Sequence, residues 1–194
     1  MNFLAHIYLS GENDLLKIGN FMADGIRGKA PDTLPNDVQK GIVLHRLIDS
    51  YTDAHPIFRQ STKRLHPMYH HYAGVIVDIF YDHFLAKNWD KYHNTSLPDY
   101  TQQFYKLLED NYTILTEKTQ KLMPYMLKQD WLASYASTQG IAQILLQMDK
   151  RTKNKSGMTN SINELLEFYD DFEKEFTLFF EELRAFVNEK TLTL

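Results

Sequence analysis

An all-α fold is what this sequence predicts, and three observations predict it. Apolar residues recur at three- and four-residue intervals along most of the chain. Val, Ile and Thr rarely form alternating runs, and Gly and Pro fall mostly where segments would end. No convincing strand is found. The expected architecture is a single compact helical domain spanning residues 1–194, closed by a long helix with an aromatic face. A chain of 194 residues is long enough to bury a sizeable core in one domain.

The elements follow in order. An apolar amino-terminal helix carries His6 and ends near Ser10-Gly11, and a break from Gly28 to Pro35 follows the segment Gly19-Asn20-Phe21-Met22-Ala23-Asp24-Gly25. Residues 41–53 read as a helix that stops at His55-Pro56, and a strongly apolar helix around Val75 to Leu85 follows a break at His66-Pro67. Further breaks are expected at Asn94 to Pro98, Pro124, Gly140 and the polar stretch Arg151 to Gly157. None of them is long enough to link two domains. In the last segment Ile162, Leu165, Leu166, Tyr169, Phe172, Phe176, Phe179, Phe180, Leu183, Phe186 and Val187 mark one apolar face, which predicts a single helix of about seven turns. Core packing explains its aromatic content without a ligand groove.

Composition narrows the function classes. Hydrophobic residues make up 43% and charged residues 24%, as in an ordinary globular protein, so disorder is not expected. No apolar run approaches the roughly 18 to 20 residues that cross a bilayer. Met1-Asn2-Phe3-Leu4-Ala5-His6 lacks a basic region before its apolar residues, so no secretory signal is expected and the cytoplasm is the expected location. There is no Cys, which excludes thiolate catalysis and cysteine-ligated metal. Any metal must be held by His and carboxylate. The net charge of -4 argues against general nucleic-acid binding, but the charge is uneven. Residues 162–189 hold nine Asp or Glu against Lys174 and Arg184, a local balance of -7, which leaves +3 for the rest. Between Ala54 and Val77 stand Arg59, Lys63 and Arg64 with no acid, so a local attraction for an acidic partner is open.

Chemistry concentrates in the first 90 residues. His45, Asp49 and Asp53 are each four apart on a helix and therefore share a face. An imidazole and two carboxylates on one face invite a cation; an exposed polar stripe is the alternative. Asp78 and Asp82, again four apart, with His83 adjacent, interrupt the apolar helix of Val75, Ile76, Ile79, Phe80, Phe84 and Leu85. Buried carboxylates are expensive unless paired or bound to metal, so these point to a metal site or to an ion pair with a residue such as Arg46. His6 and Asp24 form a third candidate pair, against the alternatives of a satisfied core histidine and a helix end before Gly25.

These segments carry a resemblance. Asn2-Phe3-Leu4-Ala5-His6, Gly19 to Asp24, Gly41 to Asp49 with its His45-Arg46 and Ile48-Asp49 core, Thr52-Asp53-Ala54-His55-Pro56, and Asp78 to Leu85 resemble, in order and spacing, the acyl carrier protein phosphodiesterases. Weaker similarity runs to the aromatic final helix. That family is regarded as a divergent relative of the HD-type metal phosphohydrolases. The resemblance implies a manganese-dependent reaction that releases 4'-phosphopantetheine from holo acyl carrier protein. The chain departs from some members at Leu47, where they carry a second Arg, and Asp82-His83 reverses the usual His-Asp order of HD enzymes.

On this basis His45, Asp49, Asp82 and His83 are the leading expected metal ligands, with Asp24, Asp78 and His6 as further ligands or orienting groups and Mn2+ as the expected ion. Asp53 joins them on the catalytic face. Arg46 is expected to steady the phosphate and His55 to protonate the departing serine oxygen. Arg59, Lys63 and Arg64, with Arg27 and Lys29, form the expected docking face for an acidic carrier protein. Two rivals stand beside this: a same-fold hydrolase of a nucleotide or other small phosphodiester, and a non-catalytic helical module that binds an acidic partner. Oligomeric state is open.

Overall fold

Eleven α-helices and five short 3-10 turns make up the computed structural model, which describes residues 1–194 and contains no strand. In chain order the helices are α1 (Phe3–Leu9), α2 (Asp14–Met22), α3 (Asn36–Ala54), α4 (Pro56–Tyr69), α5 (Ala73–Lys87), α6 (Leu97–Asp110), α7 (Glu117–Gln129), α8 (Trp131–Ser134), α9 (Thr138–Arg151), α10 (Ile162–Glu167) and α11 (Tyr169–Thr191). No helix is long and apolar enough to cross a membrane. The starts are written in the sequence: Asn13, His55, Ser96, Thr116 and Ser137 each cap a helix by accepting a hydrogen bond from a backbone N–H of its first turn.

The core is one continuous cluster running from Met1 and Leu4 to Leu183 and Val187. At its centre lies α5, apolar on nearly all sides, with every residue from Ile79 to Ala86 buried. Against it pack α1, α4, α9 and α11. The aromatic face of α11 is core, as its period implies: Phe172, Phe176, Phe179 and Phe180 are fully buried, and Tyr81 and Phe84 of α5 meet Phe176 edge-on and stacked respectively.

Several expected boundaries move. The final segment is two helices, because Phe168 leaves the helical conformation at φ -110°, ψ 31°. The ladder survives the break, with Phe168 donating to Glu164 and accepting from Phe172, and the side step brings both Phe168 and Phe172 against the Arg64 guanidinium. Pro67 and Pro124 end nothing: each stands exposed inside its helix, near the end of α4 and within α7. Gly140 lies in the first turn of α9, capped by Ser137, and the break falls just before it.

The site depends on the closeness of α2 and α3. A Cβ on Gly19 would sit 2.0 Å from the Val38 carbonyl oxygen, and one on Gly41 2.3 Å from the Leu16 carbonyl oxygen. Both obstacles are backbone, so neither can step aside. Gly41→Ala should therefore destabilise the fold by about 1–3 kcal/mol or more, a fall of several degrees in Tm. Gly74→Ala, in α5 with nothing within 4 Å of the new methyl, should be neutral or stabilise by up to about 1 kcal/mol. Thermal unfolding of the two variants side by side checks this; equal midpoints would refute the close contact.

Candidate functional site

A cavity of about 680 Å³ opens between two halves of the chain. From the amino terminus, α1, α3, α5 and the turn after α2 come Met1, His6, Asp24, His45, Asp49, Asp53 and Asp78; from α7, α8 and α9 come Lys118, Lys121, Tyr125, Trp131 and Arg151. The first side is imidazole and carboxylate. The second is aromatic and basic.

His6 is the best-defined member. Asn20 donates from its side-chain amide to the His6 carbonyl (2.9 Å) and to Ser10 Oγ (2.9 Å), which turns its own oxygen toward His6 Nδ1 at 2.8 Å. A neutral His6 must then carry its proton on Nδ1, and burial favours the neutral form by lowering its pKa to about 4. Its Nε2 lone pair faces Asp49 Oδ1 at 3.2 Å and the Met1 carbonyl oxygen at 3.1 Å. Three acceptors converge there with no donor between them.

His45 stacks on His6, with ring centroids 4.1 Å apart. Its Nε2 lies 3.1 Å from Asp49 Oδ2 and 3.4 Å from Asp24 Oδ1, while its Nδ1 is buried with no hydrogen-bond partner. Burial works against its charge, but hydrogen bonds to Asp24 and Asp49 prevail and push its pKa up to about 9. Burial would raise the Asp49 carboxyl, but the hydrogen bond from His45 and the nearby Met1 ammonium hold it well below the usual range. Asp24 is likewise held down, chiefly by His45. Asp78 is pushed up by burial despite the Met1 ammonium at 2.8 Å, which also stands 3.8 Å from Asp49. The i, i+4 spacing on α3 thus brings His45 and Asp49 together, and α1 adds His6. Ligand atoms of these three lie within 4.8 Å of one another.

The donor set fits a divalent cation. Two imidazoles with adjoining carboxylates suit manganese, iron or zinc, and the outward nitrogen of His6 is held by an outer amide, as in many metal sites. The convergence of unprotonated acceptors at His6 Nε2 is the feature that a cation would satisfy.

Other expected members lie elsewhere. The Asp82 carboxylate accepts from the Leu4 and Ala5 amides at 2.7 and 3.3 Å, fully buried beneath the first turn of α1. It holds His6's helix and does not face the cavity. Both nitrogens of His83 are engaged, Nδ1 with the Tyr135 carbonyl at 2.7 Å and Nε2 with the Tyr169 hydroxyl at 2.8 Å, so none is left to bind metal. Arg46 donates to the carbonyls of Ile26 and Gly28 and braces the turn after Asp24; it meets neither the cavity nor a carboxylate. His55 caps α4 through Ile57 N–H and meets Glu182 at 3.3 Å, also outside the cavity. Arg64 is bound through both guanidinium nitrogens to Glu175 at 2.7 and 2.8 Å, which removes it from any docking face. Arg59 is exposed with its Nε on the Asp53 carbonyl, and Lys63 and Arg27 are exposed.

Sequence reasoning missed Asn20, Lys118, Lys121, Trp131 and Arg151. Asn20 had a signal, as a polar residue inside an apolar helical run. The other four had none, since ordinary spacing on α7 to α9 says nothing of which cavity they face.

Together, the helical fold and a concave site of His and Asp define an enzyme-type pocket in an all-α protein. Comparison with known proteins supplies the family. The acyl carrier protein phosphodiesterase family model matches residues 1–183, and the chain belongs to that family. It is 36% identical over 181 residues to the acyl carrier protein phosphodiesterase of Photorhabdus laumondii, covering 93% of this chain and 91% of that protein. The protein of that name in Yersinia enterocolitica is 28% identical over 193 residues, and one from Escherichia coli O6:H1 is 30% identical over 197, each covering 99% of this chain and all of the relative. No solved structure matches significantly.

The geometry predicts a ranking of metal affinities. Loss of His6, His45 or Asp49 to Ala should weaken Mn2+ binding by more than about 100-fold, and Asn20→Ala, which frees the His6 ring, by about 10–100-fold. His55→Gln should leave affinity unchanged. Calorimetric titration with Mn2+ checks the order; wild-type affinity in His6→Ala and His45→Ala would dismiss the site.

Proposed function

We propose that the protein is a metal-dependent phosphodiester hydrolase that releases 4'-phosphopantetheine from holo acyl carrier protein. The observation that carries this reading is the convergence of His6, His45, Asp24, Asp49 and Asp78 on one cavity whose opposite side bears Lys118, Lys121 and Arg151, in a chain of this family.

His6, His45 and Asp49 would hold the cation, with Asp24 and Asp78 beside them. A bound Mn2+ would supply charge for a phosphoryl oxygen and lower the pKa of a water toward neutrality. The chain's own groups do the rest. Asn20 fixes which nitrogen of His6 is free, and Arg46 steadies the turn that presents Asp24. A phosphodiester is an anion, and the carboxylates around Asp49 would repel it unless opposed. Lys118, 3.8 Å from Asp24 Oδ2, and the exposed Lys121 and Arg151 oppose that repulsion from across the cavity. Trp131, Tyr125, Leu122 and Met148 offer an apolar wall along which a flexible arm can lie while its phosphate meets the polar side. Covalent acyl catalysis has no obvious nucleophile here, since the chain has no Cys and no Gly-x-Ser-x-Gly turn.

Purified protein with Mn2+ should convert holo acyl carrier protein to the apo form, with loss of the whole phosphopantetheine mass. In oxygen-18 water the heavy oxygen should enter the released phosphopantetheine and not the serine hydroxyl; label in the serine would mean attack at carbon. Equal turnover of small phosphodiesters or nucleotides, without any need for carrier protein, would assign the pocket to a small-molecule hydrolase instead. Binding without hydrolysis at any metal concentration would leave a docking module.

A further inference from the structure

The cavity does not end at its basic rim. A shallower depression of about 240 Å³ continues from it between α7 and α9, lined by Leu122, Tyr125, Gln129, Trp131, Gln147 and Arg151, five of which also line the main cavity. Gln147 and Gln129 bridge its two helices at 3.0 Å. Tyr125 stands 63% exposed there. Trp131 lies half-buried beside it, its indole N–H shielded from solvent and without a partner within the chain. The Arg151 guanidinium lies 5.7 Å from the Trp131 ring and meets no carboxylate. Aromatic side chains with an arginine, placed around a hollow, are the composition that anchors protein interfaces.

Charge on this side is positive, and along the end of α9 it is unpaired. Lys150, Arg151, Lys153 and Lys155 follow one another at the end of α9, all exposed and none in an ion pair. Their acidic neighbour Asp149 is buried and consumed by Ser156, Thr159 and the Gly157 amide. On α7, Lys118 and Lys121 stand exposed, and their only acidic partners are Asp24 and Glu117. The α4 side is the reverse. Arg64 is spent on Glu175 with Asp171 at 4.0 Å, and Glu182 of α11 meets His55 at the start of α4, so Arg59 and Lys63 stand beside acids.

We propose that an acidic protein bearing a phosphodiester-linked arm docks across the α7–α9 face, with Lys121, Lys150 and Arg151 pairing its carboxylates and Tyr125 and Trp131 packing at the centre. The identity of that partner as acyl carrier protein rests on the function proposed above; the face itself rests on charge and shape. A partner seated there has its arm directly over the continuous hollow that leads to His6 and His45. Docking on α4 would place it against the acidic helix.

The test is binding of apo acyl carrier protein, which has no arm to cleave, at an ionic strength of about 0.01 M, where charges are felt over roughly 30 Å. The double variant Lys121→Glu/Arg151→Glu should lose about tenfold or more in affinity, and Tyr125→Ala a comparable amount. Arg59→Glu/Lys63→Glu should bind like wild type. Added salt should weaken wild-type binding and shrink the difference. If the double variant does not fold, Lys150→Glu alone and Arg151→Gln alone carry the same expectation. Wild-type affinity in the α7–α9 variants, loss confined to the α4 variant, or no binding by wild type would overturn the proposal. Binding through α7–α9 with no release of the arm would uphold the docking face and sink the hydrolase instead.

Discussion

A buried carboxylate holds the amino-terminal helix against the centre of the molecule, and the candidate site is arranged around that contact. Asp82 lies on α5, the helix on which the core is assembled, and it has no Lys or Arg beside it. Burial pushes its carboxyl up to about 7, opposed by the Met1 ammonium and by the two amides at the start of α1. Those amides are donors that a helix leaves unsatisfied at its first turn, so one contact meets two needs. His6 sits less than a turn beyond them. Without Asp82, the seven-residue α1 would lose the contact that seats its first turn on α5, and the meeting of His6 with Asn20, His45 and Asp49 would loosen.

The second constraint is steric. Glycine at 19 and 41 lets the backbones of α2 and α3 touch, and this brings Asn20 on one helix within a side chain's length of the His6–His45 stack. The two constraints act at right angles in function: Asp82 sets how α1 meets α5, and the glycines set how α2 meets α3. Their product is a cluster in which one imidazole is neutral with a defined free nitrogen and its neighbour is held charged by two carboxylates. A site so rich in acceptors asks for positive charge, whether as a proton on His45 or as a metal ion.

Charge is divided across the fold in a way that the net value of -4 conceals. The acids of α11 are partly neutralised within the molecule, Glu175 by Arg64 and Glu173 by Lys87, and His55 meets Glu182. The cations at the end of α9 have no such partners. The acidic helix and the basic end therefore face different surroundings, and the cavity opens on the basic one.

The sequence alone determined the helices, the aromatic core face of α11 and the pairing of His45 with Asp49, because a 3.6-residue period converts spacing directly into a shared face. It also determined the family, through motifs in order along nearly the whole chain. It ranked Asp82 ahead of Asp78 as a ligand, although the two stand four apart on the same helix and look equivalent in one dimension, and the structure places Asp78 at the cavity. A single turn of α5 separates the carboxylate at the cavity from the one beneath α1, and only the position of α1 decides which is which. His83 and Arg64 looked available for the same reason and are occupied by Tyr135, Tyr169 and Glu175, partners 52 to 111 residues away. Lys121, Trp131 and Arg151 gave no sign at all. Their meaning comes from the packing of α7 to α9 opposite α1 and α3, and contacts between distant segments are set by the whole core, not by any local pattern.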